Sequence, residues 1–348
     1  MPNRTSFVTP RLPLLITGIA GVAGYNAFRY FRERFPGEVI GTRRVDNWPL
    51  SGEGIVPCDI HDRDGLRRLF ERYRFQSVVH AEGTCRLKHC EYDPDMAWQI
   101  NVDGLRNLLD NLSARARLIH LSVDLVFSGS GSGGHREGDP TDPVTVYGQT
   151  MVETERVLAR RRPDSCILRI SLPMGISFNG HAGAIDWIQS RFRKQKPATL
   201  FLDEVRSPTY TDCMNLVIDR MLGNSLNGIY HAGGPRALSL FQIAQIVNRV
   251  GGYDPAHLRG CPRAEAGPVP PRAGNVTMDS SKLRDALGEQ LLDPWPLQDL
   301  LFPTDADWHR VRDGEPFGSP ELLERVLYRN PRRASRNDPG RDQLLVRR

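Results

Sequence analysis

The clearest chemistry in the sequence lies in three glycines and a threonine near the N-terminus. Leu14-Leu15-Ile16 is a short apolar run that ends in Thr17-Gly18-Ile19-Ala20-Gly21-Val22-Ala23-Gly24 and passes directly into Tyr25-Asn26-Ala27-Phe28-Arg29-Tyr30-Phe31. A buried strand, a tight turn and a helix start are the parts that seat a dinucleotide. Glycines let the backbone approach a pyrophosphate, and helix N–H groups meet its charge. The spacing is G-x-x-G-x-x-G, tighter than the usual G-x-G-x-x-G, and such a turn also occurs with no ligand at all. The strand Glu38-Val39-Ile40-Gly41 runs into Thr42-Arg43-Arg44. An acidic residue there would hydrogen-bond the adenosine ribose, whereas arginine suits a 2′-phosphate. Arg43 and Arg44 therefore favour NADP, with NAD possible; the alternative is two solvated surface arginines. Cys58-Asp59-Ile60 closes a third strand and places Asp59 at the adenine edge.

The elements that must hold these residues follow from periodicity. Leu66, Leu69, Phe70 and Tyr73 share one face of a helix, and a second helix spans about Pro94 to Leu112. Between them Ser77-Val78-Val79-His80 is a buried strand, with His80 a core residue, ending in Ala81-Glu82-Gly83. Leu118-Ile119-His120-Leu121-Ser122 is another strand, continued by Val123-Asp124-Leu125-Val126-Phe127. Ser128 to Gly138 is rich in glycine and serine and reads as a flexible loop. A long helix starts at Val146-Tyr147 and ends near Arg162, before the strand Cys166 to Ile170. Such alternation over about 150 residues predicts an α/β fold, a Rossmann-like doubly wound parallel sheet with helices on both faces. Ligands bind such sheets beyond the carboxyl ends of the strands. The turn at Gly18–Gly24, Arg43-Arg44, Asp59-Ile60 and Ala81-Glu82-Gly83 all fall on that edge.

Composition sets outer limits. With 348 residues, 39% hydrophobic and 25% charged, the chain suits a globular protein. The net charge of +5 is interleaved with acids throughout, which points to anionic small molecules rather than nucleic acid. The six cysteines are scattered without a C-x-x-C pair or matching histidines, so reduced thiols are expected and a metal site is not. No apolar run approaches the roughly 18 residues of a membrane span, and Met1 to Arg11 has no apolar signal core. These features predict a cytoplasmic location. The basic stretch from Pro331 to Arg348 is nearly free of aromatics and reads as disordered or draped on a partner.

The ordered run of motifs resembles the extended short-chain dehydrogenase/reductase family, in its dTDP-4-dehydrorhamnose reductase branch, over residues 13 to 295. The carriers are Thr17-Gly18-x-x-Gly21-x-x-Gly24, Cys90-Glu91-Tyr92-Asp93-Pro94 to Asn101-Val102, Ser122 to Gly129, Tyr147-Gly148-Gln149-Thr150, Arg206-Ser207-Pro208-Thr209-Tyr210, and Pro271-Arg272 with Asp279 and Lys282. The resemblance implies a coenzyme domain over 13–172, rejoined by a strand near 228–232, and a smaller C-terminal substrate domain over 173–295. Residues 296–348 are then a partly disordered extension. It also implies a nucleotide-diphosphate sugar as partner, with hydride passing between the nicotinamide and a C4 keto group. Arg206, Tyr210 and Arg272 are the implied substrate contacts. The implied coenzyme contacts are Thr17, Gly18, Ala20 to Gly24, Arg43, Arg44, Asp59, Ile60, Ala81 to Gly83, Asn101, Tyr147 and Met151.

Two departures bear on mechanism. By the resemblance Tyr147 is the acid, but Met151 stands where a lysine is expected and Val123 where a serine or threonine is expected. A lysine ammonium about 5 Å from the phenol, at an effective dielectric near 20, supplies roughly 3 kcal/mol, or about two pKa units. Without it the phenol still donates a proton to an alkoxide but is a very poor base, so reduction suffers less than alcohol oxidation. Loss of the strand-end hydroxyl costs about 10²–10³-fold. Ser122 is adjacent but faces the other side of the strand, so it replaces that hydroxyl as a catalytic group only with a local distortion; Asp124, Asn101, His120 or a water chain would complete the relay from Tyr147. The family also includes catalytically silent regulatory subunits, which gives a second reading: a coenzyme-binding scaffold, as a homodimer or docked to a partner enzyme through its tail.

Overall fold

The computed structural model describes residues 9–183, 185–311 and 318–329. The first half alternates strands and helices: β1 (Leu14–Thr17), α1 (Val22–Arg34), β2 (Val39–Arg43), β3 (Ile55–Pro57), α2 (Arg63–Tyr73), β4 (Ser77–His80), α3 (Leu87–Tyr92), α4 (Pro94–Trp98), α5 (Gly104–Asn111), β5 (Arg117–Val123), α6 (Val146–Arg161) and β6 (Cys166–Ile170). The second half holds β7 (Pro173–Met174), α7 (Asp186–Arg193), β8 (Ala198–Phe201), β9 (Val205–Arg206), β10 (Thr209–Tyr210), α8 (Thr211–Leu222), β11 (Gly228–Ala232), β12 (Leu238–Ser239), α9 (Leu240–Val250) and β13 (Leu258–Cys261).

Seven of these strands form one parallel sheet in the order β11-β6-β5-β4-β1-β2-β3. The chain order reverses between β1 and β4, the switch point where such sheets leave a crevice. Strand alternation divides the core. Leu14, Ile16, Val79 and Ile119 face one apolar cluster with Phe28 and Phe31 of α1, whereas Leu15, Val78, Leu118 and Ile167 face another with Leu105 and Leu108 of α5. The short pairs β7–β10, β9–β12 and β8–β13 lie outside this sheet. The sequence carries little sign of them, because they are two to four residues long and, unlike β1 and β4, are not continuous apolar runs.

Two expectations need correction. The helix expected from Pro94 to Leu112 is interrupted by a wide π-type turn over Gln99–Asp103, which carries Asn101. Such turns often mark working positions in a helix. The glycine-rich loop after β5 is stapled rather than loose. Its backbone exchanges hydrogen bonds with Gly274, Asn275, Thr277 and Asp279, and His135 stacks on Phe127 at 4.1 Å. Its glycines at 129 and 133 have positive φ, and a Cβ at Gly129 would sit 2.5 Å from the Asn275 nitrogen. Gly129 lacks a side chain because it is pressed against the backbone of 274–275, and Gly133 because the Asn275 and Thr277 side chains fill that space.

Past Trp295 the described residues stay packed on the body. A short helical segment over 320–328 buries Leu323, Val326 and Leu327. The Trp295 indole donates to Leu327 O at 2.6 Å, and the Tyr210 hydroxyl donates to Val326 O at 3.0 Å. The expectations for 331–348 lie outside the described residues. No helix among the described residues is long and apolar enough to cross a membrane.

Candidate coenzyme and proton-transfer site

The first crossover fixes the phosphate-binding end. Gly18 has φ +68°, and a Cβ on it would lie 2.6 Å from Ala81 O and from the Glu82 Cα; at Gly24 a Cβ would meet Gly18 O at 2.5 Å. These two glycines are required by the protein's own packing. Gly21 is not: the nearest atom to a Cβ there is 3.5 Å away. It is the N-cap of α1, with no side-chain cap and no acidic residue in the first helical turn. The positive end of this 13-residue helix, bearing Val22, Ala23 and Gly24, is thus left for a ligand anion. Residues present here fit a dinucleotide pyrophosphate.

The residues around the turn divide into braces and candidates for contact. Thr17 is a brace: its hydroxyl accepts from Ala81 N at 3.2 Å and lies 2.8 Å from His80 Nδ1, tying β1 to β4. Asn101 is another, since its Oδ1 accepts from Thr84 N and its Nδ2 donates to Thr84 O and the Thr150 hydroxyl. Arg43 departs from the expectation of a phosphate ligand. Its guanidinium turns inward, donating to the carbonyls of Leu50, Arg44 and Val45, and it is buried. Arg44 is exposed but paired with Asp46 at 2.7 Å. Asp59 accepts from Val45 N, which holds the same loop.

Glu82 stands at the centre of this group. One carboxylate oxygen is buried with no hydrogen-bond partner. Burial, with the Asp59 charge adding to it, pushes the acid up to about 8, against the smaller opposing effects of Arg44 and the Gly18 N–H. The short Ala81-Glu82-Gly83 segment gives no sequence sign of this, because an acid between two small residues looks like surface loop.

The candidate proton-transfer end lies at the start of α6. Thr145 caps that helix by accepting from Gly148 N at 3.0 Å, so Tyr147 sits in the first turn. Tyr147 packs with Val123, Val126, Met151 and Leu87 in an apolar cluster. Burial raises its hydroxyl well above the ordinary tyrosine range, the nearby Cys85 and Asp124 add to this, and Arg206 opposes. Met151 and Val123 are both buried. Where the expected pattern supplies an ammonium and a hydroxyl, this site supplies hydrocarbon.

Four sequence-derived candidates are committed elsewhere. The Ser122 hydroxyl donates to Glu155 Oε1 at 2.5 Å, two turns along α6 from Tyr147, and Glu155 in turn holds Arg169. Asp124 is fully buried, taking Arg206 at 2.5 and 2.7 Å and the Ser171 hydroxyl at 2.5 Å, so it is a clamp rather than a proton relay. Arg206 is the other half of that clamp, with Glu204 a further 3.7 Å partner, and is not free to meet a substrate. Tyr210 is fully buried, and besides donating to Val326 its hydroxyl accepts from Leu297 N at 2.9 Å. Of the three substrate candidates Arg272 alone remains partly exposed. It lies over the Phe201 ring at 4.7 Å, with Nε buried and unpartnered, and 3.7 Å from Glu204. Glu204, which the sequence reading missed, is buried between the two arginines, and burial raises its carboxyl. The only sign of it was the acid–base alternation Asp203-Glu204-Val205-Arg206.

A seven-stranded parallel sheet with a glycine turn at its switch point and a tyrosine opening the helix after β5 defines a protein of the extended short-chain dehydrogenase/reductase type. The chain belongs to the RmlD substrate binding domain family, which matches residues 12–297. It is similar to the spore coat polysaccharide biosynthesis protein SpsK of Bacillus subtilis, 25% identical over 246 residues, covering 70% of this chain and 81% of that protein. Methionine adenosyltransferase 2 subunit beta of Bos taurus is 26% identical over 320 residues, covering 87% of this chain and 91% of that one. Among solved structures, dTDP-4-dehydrorhamnose reductase from Bacillus anthracis in complex with NADP superimposes with a TM-score of 0.68 at 21% identity, over 81% of this chain and 95% of that one.

Proposed function

We propose that the chain binds a nicotinamide dinucleotide at the Gly18–Gly24 turn and reduces a nucleotide-diphosphate 4-keto sugar, with Tyr147 as proton donor. The observation that carries this reading is Tyr147 itself, capped into the first turn of α6 beside the end of β5. The bound coenzyme would supply the hydride. The α1 N-terminus holds the phosphates, and the apolar cluster around Tyr147 keeps its phenol protonated. A phenol so held gives a proton to a developing alkoxide and cannot take one from an alcohol near neutral pH, so the site serves reduction only. Arg272 is the residue positioned to meet the sugar nucleotide's diphosphate.

The test is coenzyme consumption with a dTDP-4-keto sugar. Tyr147→Phe should lower the rate at least tenfold. Met151→Lys should shift the alkaline side of the pH–rate profile downward, because an ammonium beside the phenol restores its acidity. A wild type no faster than Tyr147→Phe overturns the catalytic reading. The buried Met151 and Val123 favour a second reading: a coenzyme-binding subunit that is catalytically silent, as a homodimer or attached to a partner enzyme. The likeness to methionine adenosyltransferase 2 subunit beta along most of both chains supports it.

A further inference from the structure

We propose that Glu82 decides which coenzyme this site takes, its carboxyl accepting a free adenosine 2′-hydroxyl and opposing a 2′-phosphate. The inference rests on the dinucleotide reading above and holds whether or not the chain is catalytic. Glu82 leaves the sheet beside Gly18, with its Cα where a Gly18 side chain would be. From there its carboxyl faces Asp59 beyond β3, Arg44 beyond β2, the Cys58 thiol and the Gly18 N–H. These are the ends of the first strands, where an adenosine ribose is held in sheets of this kind.

The charges at that corner do not make a phosphate site. Arg43 turns its Nε and Nη1 donors to the carbonyls of its own loop, and Arg44 already faces Asp46. Glu82 and Asp59 add two carboxyls, while burial pushes the Cys58 thiol up to about 12, leaving it neutral. The buried Glu82 oxygen lacks a donor. A ribose hydroxyl can donate to it; a phosphate dianion cannot, and once Glu82 is ionised the like charges oppose each other.

The discrimination depends on pH in a fixed direction. With its acidity near 8, Glu82 is mostly a neutral acid at pH 7 and mostly a carboxylate at pH 9. Opposition to the 2′-phosphate therefore grows across that interval by about tenfold. Fluorescence titration with NADH and NADPH gives both dissociation constants for wild type, Glu82→Gln and Glu82→Ala at pH 7 and pH 9. In wild type the NADPH-to-NADH ratio of constants should rise about tenfold between the two pH values. In both variants it should stay flat and, at pH 9, fall at least tenfold below wild type. Two substitutions guard against one failing to fold. A wild-type ratio that does not change with pH, or variants that keep the wild-type ratio, overturn the proposal while leaving the dinucleotide site standing. If none of the three proteins binds either coenzyme, the dinucleotide reading falls and this one with it.

Discussion

Replacing Arg206 by methionine should lower the unfolding free energy by about 3–5 kcal/mol and the melting temperature by roughly 10 °C. The Asp124 carboxylate is completely buried and holds Arg206 through two hydrogen bonds, keeping only the Ser171 hydroxyl once the guanidinium is gone. Glu204 would lose the more buried of its two cations at the same stroke and retain Arg272, also at 3.7 Å. The cost is that of stranding a charge, not the net value of the pair, so the double variant Arg206→Met with Asp124→Leu should recover most of the loss. Urea titration of the three proteins decides it. A single-variant loss below about 1 kcal/mol would mean that water reaches Asp124.

Acid should destabilise the protein above the pH at which its ordinary surface carboxylates are titrated. His80 and His120 stack at 5.2 Å inside the sheet, both buried, and His231 lies buried against Arg169 and His135. Burial lowers His80 to about 4; burial and the neighbouring Arg169 cation lower His231 to about 4; burial, with His80 beside it, lowers His120 well below the usual range. The hydrogen bonds explain why the neutral form is kept. Thr17 Oγ1 accepts from Ala81 N and lies 2.8 Å from His80 Nδ1, so the ring is held in a fixed place with a neutral partner and, among the described residues, no anion beside it. All three rings are neutral in the fold and take protons in the unfolded chain. Stability is therefore full above about pH 6.5 and lost as the pH falls toward 4, with His80 alone responsible for about 3 kcal/mol. Urea unfolding at pH 7.5, 5.5 and 4.5 measures the slope. His80→Asn, which preserves a polar partner for Thr17, should flatten it, and an unchanged slope would assign the effect to other groups.

The parts of the molecule legible in its sequence are those encoded locally. β1, the glycine turn and α1 are contiguous, and the apolar runs at 77–80, 118–122 and 166–170 could hardly be anything but buried parallel strands. What stayed hidden depends on partners distant along the chain. Arg206 and Asp124 are 82 residues apart, and neither position reads as an ion pair without the other. Arg43 looks like an anion ligand until the loop at 44–50 folds back and offers it carbonyls. Tyr210 follows a motif that suggests a sugar contact, yet its hydroxyl is claimed by backbone at 297 and 326. Among charged and hydroxylated residues, sequence pattern finds the corner of the fold but not which side chains face inward.

The docking of residues 320–328 reaches beyond architecture. The family match ends at 297, just after Trp295, but the indole and the Tyr210 phenol donate to carbonyls at 327 and 326. Anyone trimming the gene to its recognisable portion would strip two large aromatic donors of their acceptors and bare the apolar floor beneath Leu323 and Leu327. For this chain the folding unit reaches past the family match, and expression designs should be drawn from the former.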